Sequence, residues 1–118
     1  MSIHKQILGR KGEEIAVRYF KKQGFEIVAR NYRCRYGEID IMYAKDHNLF
    51  IVEVKTRQSL VFGYPEEAVT PVKKQRMLRC AQAFLDEQAR TYKGIILQVV
   101  AIYIGSQQVF ARLYTESY

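Results

Sequence analysis

Hydrophobic and polar positions divide this 118-residue chain into segments of helical and strand character. Residues 5–23 read as a helix, which Gly24 closes as a C-terminal glycine does. Phe25 to Ala29 reads as a short strand and leads into a basic segment, Arg30-Asn31-Tyr32-Arg33-Cys34-Arg35-Tyr36. Two strand-like runs follow, Gly37 to Tyr43 and Leu49 to Arg57. Their Ile39, Ile41, Ile51, Val52 and Val54 mark them as core-forming. The polar stretch Lys45-Asp46-His47-Asn48 between them is of the kind that closes a hairpin. Gln58 to Val69 is a loop containing Phe62-Gly63-Tyr64-Pro65. Thr70 and Pro71 form a helix start, an N-cap followed by proline at the first helical position. The spacing predicts a helix from Pro71 to about Ala89, with Leu78, Ala81 and Leu85 on its buried side and Phe84 beside them. Ile95 to Ile104 is the most apolar strand, and Val109 to Tyr114 pairs with it across Gly105-Ser106. The order helix, three strands, helix, two strands predicts a single α/β domain with a central mixed five-stranded sheet flanked by helices. A strong strand after a long helix implies a crossover to a parallel position.

The hairpin carries the candidate chemistry. A turn symmetric about Asp46 and His47 opposes residues whose numbers sum to 93, which sets Asp40 against Glu53 and Glu38 against Lys55. Strand side chains alternate faces, so Asp40, Glu53 and Lys55 share one. Like charges directly opposite cost roughly 0.2–1 kcal/mol, so two opposed carboxylates call for an explanation. A bound cation supplies one. A surface salt-bridge lattice, with Lys55 neutralising Glu53 and Glu38, supplies another.

Composition narrows the field. The chain is long enough to bury a core without a structural metal or disulfide. It has no apolar run of the ~20 residues needed to span a bilayer and no apolar signal segment after Met1-Ser2-Ile3-His4-Lys5. A cytoplasmic protein with no membrane partner is therefore expected. Cys34 and Cys80 have no metal-ligand spacing and read as reduced thiols. The 19 Lys and Arg against 12 Asp and Glu give a net charge of +7, a field that favours a polyanionic partner, nucleic acid before membrane.

The first helix offers a further acid. With about 100° per residue, Gly9, Ala16, Val17 and Phe20 fall within about 60° of Glu13, so Glu13 borders the apolar face. Glu14 falls among Arg10, Arg18 and Lys21 as a solvated charge. Leu8-Gly9-Arg10-Lys11-Gly12 keeps the backbone small beside Glu13, for close approach of the sheet or a substrate. An edge-of-core glutamate paired to a lysine is the other reading.

Taken together, Gly12-Glu13 with Ala16, Gly24, the block from Asn31 to Ile41, and Phe50-Ile51-Val52-Glu53-Val54-Lys55-Thr56-Arg57 resemble the YraN-like family of uncharacterised bacterial proteins. The resemblance continues through Phe62-Gly63, Ala68-Val69-Thr70-Pro71 and Val99-Val100-Ala101-Ile102. That family is in turn similar to archaeal Holliday junction resolvases and to the restriction-endonuclease-like superfamily, whose signature is PD-(D/E)XK. The resemblance implies a restriction-endonuclease-like fold and a metal-dependent endonuclease that hydrolyses DNA phosphodiester bonds, in branched or structured DNA by the resolvase analogy. Asp40 and Glu53 become ligands of Mg²⁺ or Mn²⁺, Lys55 the catalytic lysine, and Glu13 the helix-borne acid that joins them in catalysis and metal binding. Gln75 corresponds either to an accessory glutamine directed towards the sheet or to a polar helix-edge residue. The superfamily's proline before the aspartate is Ile39 here. Ile96-Leu97-Gln98 stands where the family usually carries Arg-aromatic-Asp.

Arg30, Arg33 and Arg35, interleaved with Tyr32 and Tyr36, are candidate backbone-phosphate contacts, as are Lys73, Arg76 and Arg79 on the second helix. A solvated basic surface is the alternative for both groups. A resolvase that cuts two strands symmetrically implies a homodimer. Two rival functions remain: a non-catalytic nucleic-acid-binding module on a nuclease scaffold, and a protein-interaction subunit.

Overall fold

The computed structural model describes residues 3–58, 70–105 and 109–117. Helix α1 spans Ile3–Lys22, followed by strands β1 (Glu26–Cys34), β2 (Gly37–Lys45) and β3 (Asn48–Arg57). Helix α2 spans Pro71–Asp86, and strands β4 (Gly94–Ile104) and β5 (Val109–Ser117) complete the chain. The strands form one five-stranded sheet in the order β1-β2-β3-β4-β5. All neighbours are antiparallel except β3 and β4, which run parallel. Helix α2 lies between those two in sequence, as the crossover expected from the strong strand after a long helix. No helix among the described residues is long and apolar enough to cross a membrane.

Local signals account for the element ends. Gly24 has φ +84°, and its N–H reaches Lys21 O at 3.0 Å while Phe25 N–H reaches Phe20 O at 3.0 Å. This is a Schellman closure, reinforced by the Phe20 and Phe25 rings 5.7 Å apart. Helix α2 opens as its sequence predicts, with Thr70 Oγ1 accepting Lys73 N–H at 3.1 Å and proline in the first turn. It ends at Asp86 rather than near Ala89.

The centre of the sheet is buried on both faces. On one, α1 packs Ala16, Val17 and Phe20 against Ile41, Tyr43, Val52, Val100 and Ile102. On the other, α2 packs Met77, Cys80, Ala81 and Phe84 against Met42, Leu49, Ile51, Leu97 and Val99. The buried stripe of α2 is thus Met77, Cys80, Ala81 and Phe84, with Leu78 and Leu85 only partly buried beside it. The buried face is turned by about one residue from the expected Leu78, Ala81 and Leu85. Gln98, which takes the place of a charged residue in the resembled pattern, is buried and accepts a hydrogen bond from the Tyr43 hydroxyl.

Two expectations are corrected here. The first strand does not end at Ala29 but runs on through the basic segment to Cys34, paired with β2 as far as Cys34↔Gly37. Its polar sequence follows from its place at the sheet edge, where one side of the strand faces solvent. The cysteines are not free thiols: Cys34 and Cys80 form a disulfide across a sequence separation of 46. Helix α2 lies over the β1–β2 side of the sheet, which brings the two together. The loop expected at Gln58 to Val69 lies, from residue 59 on, outside the described residues, as do Phe62-Gly63 and Ala68-Val69 of the resemblance.

Closing a loop of this length constrains the unfolded chain, so reduction should lower the unfolding free energy by about 2–4 kcal/mol. Urea unfolding with and without dithiothreitol measures it. The Cys34→Ala/Cys80→Ala variant should match the reduced protein and ignore the reductant, whereas an unchanged native midpoint on reduction would mean that the pairing adds no constraint.

Candidate functional site

The β2–β3 hairpin turns at Asp46 and His47, both at positive φ (51° and 66°), the geometry of a two-residue type I′ turn. From it the register runs Lys45↔Asn48, Ala44↔Leu49, Tyr43↔Phe50, Met42↔Ile51 and Ile41↔Val52. Each pair sums to 93, as the symmetric turn requires. The ladder then stops, one pair short of Asp40 and Glu53. Asp40 Oδ2 instead accepts the Val54 N–H at 2.8 Å, so a side-chain carboxylate takes an amide that a continuing ladder would have engaged. Face alternation breaks at the same point, since Ile39 packs in the α2-side cluster and Ile41 in the α1-side cluster. Glu38 does not pair with Lys55; β2 is aligned there with β1, and Arg33 Nε lies 3.6 Å from Glu38 Oε2.

The open end of the hairpin collects charge from four elements. Glu53 on β3 is buried, its side chain 9% exposed, and its Oε1 meets Lys55 Nζ at 3.3 Å and Lys73 Nζ of α2 at 2.6 Å. Asp40 on β2 is pushed up to about 7, first by burial and then by the charge of Glu53, against the pull of the Val54 amide. Glu13 on α1 is raised as well, first by burial and then by the charge of Glu38, and its own charge adds to the rise of Asp40. Burial lowers Lys55 despite the Glu53 charge beside it. Burial pulls Lys73 down too, but its bond to Glu53 and the surrounding charges outweigh that and leave it raised.

Glu13 reaches Asp40 because α1 comes close to β3 at Gly12. A Cβ on Gly12 would lie 1.9 Å from Thr56 Oγ1 and 3.0 Å from Thr56 Cβ. Rotating the threonine cannot relieve the second contact, so this position admits only glycine without moving the helix. The neighbouring acid differs from its expected role: Glu14 is not merely solvated, because its Oε1 takes Arg30 from β1 at 2.6 Å.

A cavity of about 500 Å³ opens on Asp40 and Glu53 from the α2 side, lined also by Tyr36, Glu38, Lys73 and Arg76. Around it, Arg35 and Arg79 both lie over the Tyr36 ring, at 4.9 and 5.6 Å from its centroid, and Arg33 projects outward with its side chain 80% exposed. The structure therefore brings Glu13, Asp40, Glu53, Lys55, Lys73 and Arg76 to one place. It ties Arg30 to α1 and leaves Gln75 exposed, two positions away from the buried Met77 and so turned from the sheet. Among the described residues, no three or more His, Cys, Asp and Glu side chains are gathered closely enough to hold an ion. Sequence reasoning missed the placement of Lys73 on Glu53, which the packing of α2 on the sheet brings about.

Residues 12–102 match the uncharacterised protein family UPF0102. The chain belongs to that family. It is 43% identical over 103 residues to a UPF0102 protein of Caldicellulosiruptor saccharolyticus, covering 87% of each chain. A UPF0102 protein of Nocardia farcinica is 49% identical over 98 residues, 83% of this chain and 77% of the relative. One from an Arthrobacter species is 51% identical over 98 residues, 83% of each. The UPF0102 match begins at Gly12, the residue that lets α1 approach Thr56, and contains Glu13, Asp40, Glu53, Lys55 and Lys73.

The raised Asp40 fixes a pH dependence. The folded protein keeps a proton that the unfolded chain releases near pH 4, so stability falls as pH rises from about 4 to about 7 and levels above that. Asp40→Asn removes this loss. In urea unfolding at pH 8 the variant should be more stable than the native protein by about 1 kcal/mol or more, and the two should be close at pH 4. A variant destabilised at pH 8 would make Asp40 a favourable ion-pair partner instead.

Proposed function

We propose that this UPF0102 protein is a metal-dependent endonuclease that hydrolyses DNA phosphodiester bonds. The observation that carries the reading is the convergence of Asp40, Glu53 and Lys55 at the open end of the hairpin, with Glu13 reaching Asp40 from the other side. The Asp40 and Glu53 carboxylates, the first raised by burial and by the second and the second held by ammonium groups, are hard oxygen donors in want of positive charge, and this donor set suits Mg²⁺ or Mn²⁺. Asp40 and Glu53 would hold the ion, with Glu13 beside Asp40 as a further acid. Such an ion relieves charge on phosphate oxygens and makes water a better nucleophile.

The chain's own groups supply the rest. Lys55, on the same oxygen of Glu53, is placed to orient the attacking water or to offset charge developing on the phosphate. Lys73 and Arg76 on the cavity wall, with Arg33, Arg35 and Arg79 near its mouth, are the groups for the DNA backbone. A mixed five-stranded sheet flanked by helices supports the restriction-endonuclease-like assignment of the fold. Branched DNA as the substrate rests on the resolvase analogy alone, and with it goes a two-fold dimer.

A second reading has its own support. Glu53 Oε1 already carries both lysines, an arrangement suited to a nucleic-acid-binding module that kept the scaffold without cutting. Incubating the protein with linear, flapped and four-way DNA in Mg²⁺ or Mn²⁺ separates the two. The nuclease reading expects cleavage that needs the ion and is lost in Asp40→Asn. DNA binding without cleavage in any ion would favour the module, and neither binding nor cleavage would point to a protein-interaction subunit.

A further inference from the structure

One lysine is enough to neutralise Glu53, and Lys55 from the same strand is already 3.3 Å away. Lys73 comes closer, at 2.6 Å, from another element. Its position runs against helix electrostatics. The first turn of α2 has no acidic residue, and Lys73 and Lys74 put positive charge at the end of the helix where the macrodipole is already positive. Arrangements of that kind favour an anion. The two lysines also differ in freedom. The Lys55 side chain is 20% exposed and that of Lys73 37%, and Lys73 lines the cavity that opens on Asp40 and Glu53 whereas Lys55 does not. Lys73 can leave Glu53 for the cavity without its ammonium being stranded in the core.

We propose that Lys73 is an exchangeable counter-ion: it holds the Glu53 carboxylate in the metal-free protein and passes to a phosphodiester oxygen of bound nucleic acid when a divalent cation takes its place on Glu53. The proposal rests on the reading of Asp40 and Glu53 as a cation site. The exchange keeps charge in balance. Glu53 trades one positive partner for another, and the released ammonium meets the charge that the nucleic acid brings. Metal and nucleic acid then assist one another, since each occupies what the other's arrival sets free. Lys73 is in this account a positioning residue and competes with the ion.

The test is Mn²⁺ binding by the full chain without nucleic acid, read by electron paramagnetic resonance of the free ion. Lys73→Met should bind Mn²⁺ roughly two- to fivefold more tightly than the native protein, the range expected for releasing one partly exposed ion pair. Lys73→Gln, which keeps a hydrogen-bond donor for Glu53 without the charge, should fall between. Lys22→Met, a loss of the same charge at the exposed far end of α1, should leave the affinity unchanged. Adding a short DNA duplex should tighten Mn²⁺ binding to the native protein and not to Lys73→Met. Native binding that Lys73→Met and Lys73→Gln leave unchanged or weaken would overturn the exchange while the cation site stands. Equal tightening by the duplex in native and variant would overturn the transfer to phosphate, and no Mn²⁺ binding by the native protein would remove the site and the exchange together.

Discussion

The hydrogen bond from the Val54 amide to the Asp40 carboxylate decides how the β2–β3 hairpin ends, and the site depends on that ending. A hairpin that kept its ladder would leave Asp40 and Glu53 as an ordinary cross-strand pair on one face. By taking a main-chain donor, Asp40 stays at the end of the ladder, where Glu53 bears on it from β3 and Glu13 from α1. The neighbouring Ile39 and Ile41 then enter opposite cores, so both layers of the fold fix the position of the residue between them.

Such a concentration of acids is unfavourable unless positive charge or protons offset it. Two ammonium groups sit on Glu53, and Asp40 holds a proton more readily than an ordinary carboxyl group. These are the partners that a divalent cation could replace, which gives metal binding a physical basis without a preformed cage of three ligands. The same arrangement limits sequence freedom at a distance: α1 must lie against Thr56 to deliver Glu13, and Gly12 is what permits the approach.

Much of this was legible in the chain because it is local. The turn at Asp46 and His47 fixed the hairpin register by symmetry, Gly24 and the Thr70-Pro71 pair set helix ends through their own backbone preferences, and the long helix before an apolar strand implied the parallel crossover. The proximity of Asp40 and Glu53 followed from the register, but the end of the ladder did not, because it depends on which acceptor wins the Val54 amide. Contacts between elements were not legible. Cys34 and Cys80, Arg30 and Glu14, and Lys73 and Glu53 each join residues far apart in sequence, and only the packing of a helix on the sheet brings them together. The first strand reads as ending at Ala29 because the basic stretch that continues it lies at the sheet edge and lacks apolar alternation. On α2 the leucines Leu78 and Leu85 border the buried stripe of Met77, Cys80, Ala81 and Phe84, so side-chain hydrophobicity alone points one residue to the side of it.

The central claim is that Asp40 and Glu53 are held against each other for a cation. Its most direct test is the melting temperature of the native protein and of Asp40→Asn with and without Mg²⁺ or Mn²⁺, since a ligand stabilises the state that binds it. The account predicts that the ion raises the melting temperature of the native protein and leaves that of Asp40→Asn where it was. An equal response in both proteins, or none in the native chain, would contradict it and make the carboxylate pair part of the architecture alone.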